Sequence, residues 1–246
     1  MIAGVIQSSE AARGPIPRAA FGGVRAELLV ITLLLVLLNI PLLIGGNTAA
    51  LAFRVDEVAA GEWWRVVTHP FVHVSWYHLL LDGAGFLSLY AGMGDGSRAR
   101  RLAFAAASAG GSLLVALWAS PLIASHGLCG LSGAAHGLMA ASALETLALP
   151  RADRFTRIAA LAGLAVVVGK CVIEAITGQA LFTFLHFGLL GTPIVACHAG
   201  GVLGGLCAVW ASRSINPTQL RGHSPLDPKT RIQARQVHAG NGMRDG

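Results

Sequence analysis

Gly130-Leu131-Ser132-Gly133 is the stretch on which the reading of this 246-residue chain turns, because it sets a small hydroxyl between glycines where a long apolar run begins. A serine becomes a nucleophile only when a base can take its proton, which requires heavy atoms within about 2.6–3.2 Å. The candidate base is His198, followed by Ala199-Gly200-Gly201-Val202-Leu203-Gly204-Gly205. Both stretches carry the spacing that lets membrane helices approach until their backbones nearly touch. Gly133 and Gly137 form one such face beside Ser132, while Gly200/Gly204 and Gly201/Gly205 form two beside His198. The two apolar segments are therefore expected to be neighbours.

Composition places these segments in a membrane. Hydrophobic residues make up 54% of the chain and charged residues only 12%, against about 25% charged in an ordinary soluble domain. A hydrocarbon core takes about 20 apolar helical residues per crossing. The expectation is an all-α polytopic membrane protein: a basic tail over 1–25, a six-helix membrane domain over 26–211 and a polar tail, read as disordered, over 212–246. The spans fall near 26–44, 71–93, 102–119, 131–149, 158–176 and 193–211. The first is too long for the apolar region of a signal peptide, about 7–15 residues, and further spans follow it.

Basic loops orient the bundle. Arg98, Arg100 and Arg101 lie in one loop and Arg151, Arg154 and Arg157 in another, with more basic residues in the C-terminal tail. Loops 120–130 and 177–192 contain no Lys or Arg. The positive-inside rule then puts both termini in the cytoplasm, and Ser132 and His198 at matched depths near the outer face. The net charge of +6 reads as orientation in a bilayer rather than as a nucleic-acid surface, since the positive residues do not line one helix face. Trp63 and Trp64 suit a membrane interface. Cys129, Cys171, Cys197 and Cys207 lack CxxC spacing and read as small packing residues; Cys129 and Cys197 flank the residues of interest and could form an oxidised pair.

The second span is unusually polar. His78 and Asp82 are four residues apart and share a helix face, with His69 and His73 just before them. Intramembrane ionisable groups are costly, so a functional role is expected for His78; His69 and His73 read as braces of the first loop. Three imidazoles could also hold zinc, although no HExxH spacing accompanies them. His136 lies one turn below Ser132 and serves either as a packed core residue or as part of the site. Lys170 and Glu174 form a pair four residues apart in the fifth span, about 20 Å along the helix from Arg157 and hence in the outer half. They are either an internal ion pair or a contributor to substrate recognition. The apolar loop Leu181-Phe182-Thr183-Phe184-Leu185-His186-Phe187 reads as a mobile lid or an interfacial anchor.

Together the motifs resemble the rhomboid intramembrane serine proteases. The resemblance covers about residues 26–211 and rests on Trp64-Arg65, Thr68-His69-Pro70, His73, His78, Gly130-Leu131-Ser132-Gly133, and His198 with Gly201 and Gly205. It implies a Ser132/His198 dyad without an acidic third member, working without a cofactor. The oxyanion would be held by the Ser132 backbone N–H and by His78, with Asp82 standing where rhomboids usually carry an asparagine. An ionised carboxylate cannot donate a hydrogen bond, so Asp82 is expected either to be protonated by burial or to orient His78. His73, His78 and Ser132 would line a polar cavity open to the outside, supported by His136, Gly130, Gly133, Gly201 and Gly205.

The closer resemblance, through Gly130–Leu138 and Lys170, Glu174, Thr177 and Gly178, is to the rhombosortase subgroup. It implies processing of exported bacterial proteins anchored in the inner membrane by a C-terminal transmembrane helix behind a Gly-Gly signal. The alternatives are a catalytically inactive rhomboid-like protein that guides membrane helices, and a small transporter or metal-handling protein, which no internal repeat supports.

Overall fold

The computed structural model describes residues 18–93, 97–150, 152–182, 184, 187 and 189–215. Of the expected tails over 1–25 and 212–246, residues 1–17 and 216–246 lie outside the described residues, as do residues 183, 185 and 186 of the expected lid. Those described are helical, with no strand among them: α1 (Arg18–Leu38), α2 (Val55–Ala59), α3 (Arg65–Thr68), α4 (Trp76–Gly92), α5 (Arg98–Ala119), α6 (Leu122–His126), α7 (Ser132–Ala148), α8 (Arg154–Thr177) and α9 (Ala196–Ile215). Met1–Val209 form the unit that carries the site, and Trp210–Gly246 a second.

The six long helices fall on the six expected apolar segments, but their lengths differ from expectation. Among the described residues only α5 and α8 are long and apolar enough to cross a membrane by length and composition. At 17 residues each, α4 and α7 sit at the short end of the spanning range of about 17–25. The span at 71–93 loses its first turn because His69–Phe71 is a tight 3-10 turn and Ser75 caps α4, its Oγ accepting the His78 N–H at 3.1 Å. Such a cap contributes about 1 kcal/mol. The first span is broken at Asn39-Ile40-Pro41, where proline cannot supply a helical N–H and a 3-10 turn follows over Ile40–Ile44.

Polar groups face inward and apolar ones outward. Leu29, Leu80, Leu114, Val166 and Ile176 are exposed while His73, Ser108 and Glu174 are fully buried. That distribution suits a lipid surround, where polar side chains must find partners inside the bundle. At the arginine-bearing end of α5, Arg101 forms a two-pronged pair with Glu27 at 2.9 and 2.7 Å, and Tyr90 donates to the same carboxylate at 2.6 Å.

The centre of the unit is α7, which packs on α4, α5 and α8. The expected glycine contact with α9 is present and is closer than side-chain packing allows. A Cβ at Gly201 would overlap the Gly133 carbonyl, and one at Gly205 the Gly137 carbonyl. A third helix joins this seam: Gly111 of α5 faces Gly200 and Gly204, while Ser112 and Ser108 fill the space above Gly133 and Gly137.

The segment before α4 is less of a loop than its mixed charges suggest. Arg65 donates to Glu62 and to the Ala49 and Ala52 carbonyls at 2.6–2.9 Å, gathering 49–65 around one buried guanidinium. Phe53 and Leu128 exchange both backbone hydrogen bonds at 2.9 Å, and Gly130 N–H donates to the His69 carbonyl at 3.1 Å. The expected bracing role of His69 is met, its Nδ1 lying 3.0 Å from the Val66 carbonyl. The backbone leading to Ser132 is thereby anchored to the first outer segment.

Candidate active site

Ser132 opens α7 and His198 lies in the first turn of α9, so the glycine seam brings them together. His198 Nε2 is 3.2 Å from Ser132 Oγ. On the other side of the ring, Nδ1 is 2.7 Å from Glu174 Oε2. This corrects the expectation of a serine–histidine pair with no acidic neighbour. Glu174 is completely buried, and its Oε1 accepts from Lys170 Nζ at 2.6 Å and from the Leu181 N–H at 2.9 Å. The Lys170–Glu174 pair does stabilise itself within α8, as the spacing suggests, but it also reaches α9. Lys170 Nζ stands 3.2 Å from His198 Nδ1.

His136 is part of the same construction. Its Nδ1 lies 2.6 Å from the Ser132 carbonyl, and its ring stacks on that of His198 with centroids 4.2 Å apart and planes 15° from parallel. Stacking restricts tilt of the His198 ring while leaving both of its nitrogens free to hydrogen bond.

On the oxyanion side Asp82 contacts His78, as the second of its two expected roles requires, and it also takes the Ser132 N–H. Ser132 N–H donates to Asp82 Oδ2 at 3.0 Å, and His78 Nε2 lies 3.1 Å from the same oxygen. Both expected oxyanion donors thus converge on Asp82, which stands as their acceptor and not as a further donor. An anionic oxygen at the first N–H of a helix is favoured by the helix dipole and satisfies an otherwise orphaned donor, here at a helix start where Leu131 has no side-chain acceptor to offer. Gly130 makes room for this contact. Its φ is +99°, and a Cβ there would come within 2.8 Å of Asp82 Oδ2 and 3.0 Å of the His78 ring.

His73 does not line the cavity. It is fully buried behind His78, edge-on with centroids 4.9 Å apart, because its backbone is held on both sides: its N–H donates to Asn39 Oδ1 at 2.9 Å and its carbonyl accepts from Thr48 Oγ1 at 2.7 Å. Its ring nitrogens have no hydrogen-bond partner among the described residues; Nε2 is 3.6 Å from Asp82 Oδ2. A metal set is not formed by these histidines either. His69 turns to a backbone carbonyl, and among the described residues no three or more His, Cys, Asp or Glu are grouped to hold an ion. The oxidised Cys129–Cys197 pair is likewise not formed: all four cysteines are free thiols, with Cys197 Sγ 4.0 Å from Ser132 Oγ.

A cavity of about 470 Å³ opens onto this cluster, lined by His78, Asp82, Ser132, His136, Lys170, Glu174 and His198 together with Cys129, Cys197 and apolar groups such as Leu181, Phe182 and Ile194. His126, at the end of α6, also reaches it and has no sequence signal beyond its outer-loop position. Asn39 is the other residue that sequence reasoning passes over. Fully buried, it donates to the Leu35 and Phe71 carbonyls at 2.7 Å each and fixes the approach to α4.

An apolar-faced helical bundle with a serine–histidine pair and a carboxylate at the wall of an internal cavity defines an integral membrane protein of hydrolase-like construction. The Rhomboid domain matches residues 60–215, more than half of the chain, and the protein belongs to the rhomboid family. Members of this family are in general intramembrane serine proteases acting on membrane-anchored proteins, and some are inactive. No curated protein matches the chain.

Proposed function

We propose that this protein is an active intramembrane serine endopeptidase that cuts a membrane-anchored exported protein near the outer face of a bacterial inner membrane. The observation that carries this reading is His198 Nε2 at 3.2 Å from Ser132 Oγ, on the wall of a cavity large enough for a peptide segment and for water. Six crossings with both termini in the cytoplasm complete the reading, because they put the cavity on the outer side.

In the reaction Ser132 Oγ attacks the scissile carbonyl carbon while its proton passes to His198 Nε2. The carbonyl oxygen, now an anion, takes the Ser132 N–H and the His78 ring as donors, displacing the Asp82 carboxylate that occupies them at rest. Collapse breaks the C–N bond, and His198 returns the proton to the leaving amine. Water then attacks the acyl ester, gives a proton to His198 and releases a carboxylic acid with Ser132 restored. No cofactor takes part. The substrate is a protein with a C-terminal transmembrane helix and a Gly-Gly signal, as in rhombosortases; small residues fit beside the apolar cavity wall.

Labelling of the detergent-solubilised protein with a fluorophosphonate tests the chemistry. Wild type labels, while Ser132→Ala and His198→Ala do not. A wild type that does not label favours an inactive helix-guiding protein, a reading for which the Asp82 oxygen on the oxyanion donors is the one favourable observation. Substrate class is tested separately by co-expression with an exported reporter carrying a Gly-Gly tail signal. Cleavage lost on Gly-Gly→Leu-Leu substitution supports the signal, and unchanged cleavage refutes it.

A further inference from the structure

Two groups of opposite hydrogen-bonding character compete for the same nitrogen of the candidate base. Glu174 Oε2 is 2.7 Å from His198 Nδ1 and Lys170 Nζ is 3.2 Å from it. A carboxylate only accepts and an ammonium only donates, so the two neighbours demand different tautomers. With the proton on Nδ1, the ring donates to Glu174 and presents the Nε2 lone pair to Ser132 Oγ, which is the form that can take a proton. With Lys170 donating to Nδ1, the proton sits on Nε2, points at Ser132 and cannot act as a base.

We propose that Glu174 is a positioning residue that selects the base-competent tautomer of His198, and that it does so partly by engaging the Lys170 ammonium, which would otherwise donate to Nδ1. This rests on the serine-hydrolase reading above and extends it. The geometry favours the carboxylate: it is the closer neighbour, and it engages the ammonium through its other oxygen at 2.6 Å. The Leu181 N–H on that oxygen and complete burial leave Glu174 little freedom to rotate. Lys170 in turn compensates a carboxylate that would otherwise be an isolated buried charge. Around the rest of the ring, His136 stacks on its face, Ser132 meets Nε2, and the Cys197 thiol is also a hydrogen-bonding neighbour of the imidazole.

The test compares the full-length protein in detergent with Glu174→Gln, Glu174→Asp and Lys170→Met/Glu174→Gln, reading both fluorophosphonate labelling and the ¹⁵N spectrum of His198. In labelling, Ser132 Oγ bonds to phosphorus, fluoride leaves, and the serine proton passes through His198 Nε2. Glu174→Gln is expected to lower the maximal labelling rate by about 100-fold or more at an unchanged half-saturating probe concentration, by analogy with loss of the acidic member of a serine triad. The Asp variant recovers part of this loss. The double variant labels at least about tenfold faster than Glu174→Gln, because the competing donor is gone.

In the spectrum, wild type carries its proton on Nδ1, Glu174→Gln moves it to Nε2, and the double variant moves it back. The proposal is overturned if Glu174→Gln labels within about threefold of wild type, if the double variant is no faster than the single, or if wild-type His198 is protonated on Nε2. A wild type that fails to label while its proton is on Nδ1 sinks the protease reading and leaves the tautomer assignment standing. Should Glu174→Gln not fold, the charge-balanced double variant and the wild-type spectrum still decide.

Discussion

The two flanks of Ser132 are built differently. On the base side, α8 and α9 supply a chain of matched partners from Lys170 through Glu174 to His198 and the serine hydroxyl. On the oxyanion side, one carboxylate oxygen of α4 collects the Ser132 N–H and His78, while His73 behind them has no ring hydrogen bond among the described residues. One flank is assembled in the geometry that proton transfer needs. The other is satisfied by an internal carboxylate, which a substrate would have to replace in the proposed reaction, so proton transfer and oxyanion binding are separately testable.

The largest expected effect is on the assembled flank: His198→Ala should lower fluorophosphonate labelling by about 10⁴-fold or more, as loss of the base does in serine hydrolases. A residual rate within about tenfold of wild type would mean that another group serves as base. Next comes the seam that joins nucleophile and base. Gly201→Ala forces a methyl into the Gly133 carbonyl; it should cost roughly 1–3 kcal/mol in thermal unfolding measured in detergent and slow labelling as the helices part. An unchanged melting temperature would contradict the close contact.

Asp82→Asn tests the other flank and should move the rate in the opposite direction. A neutral amide oxygen holds the Ser132 N–H less tightly than a carboxylate, so labelling rises, by about tenfold if roughly 1.4 kcal/mol of competition is relieved. A large loss would show that the carboxylate is needed to hold His78 in place. The smallest effect is expected at His73→Phe, where a ring without hydrogen-bond partners is exchanged for an apolar one of similar shape. Labelling within about threefold of wild type is expected there, and a collapse would reveal a role for the 3.6 Å approach to Asp82.

Much of this arrangement is legible in the sequence because it depends on local signals. Apolar run lengths locate the six long helices, and glycines at four-residue spacing bring α7 to α9, from which the meeting of Ser132 and His198 follows. The acidic partner of His198 is not legible in the same way. Lys170 and Glu174 read either as an internal ion pair or as a contributor to substrate recognition, and nothing in their spacing tells which face of α8 turns to α9. The one available hint is depth, since both residues fall in the outer half of their helix, as His198 does. Nor does the spacing of His73 and His78 reveal that Asn39, just past the end of α1, holds the backbone of one behind the other. The part taken by Gly111, Ser108 and Ser112 of α5 is similarly hidden, because small residues are common throughout this chain, which has 31 glycines.

The glycine seam also acts as a gauge. Side chains between helices are compressible spacers that change rotamer with temperature and with the lateral pressure of the surrounding lipid. Between α7 and α9 there are none at Gly133, Gly137, Gly201 and Gly205, so backbone rests against backbone. The separation of the two helices that carry hydroxyl and imidazole is therefore set by the radii of backbone atoms rather than by side-chain rotamers.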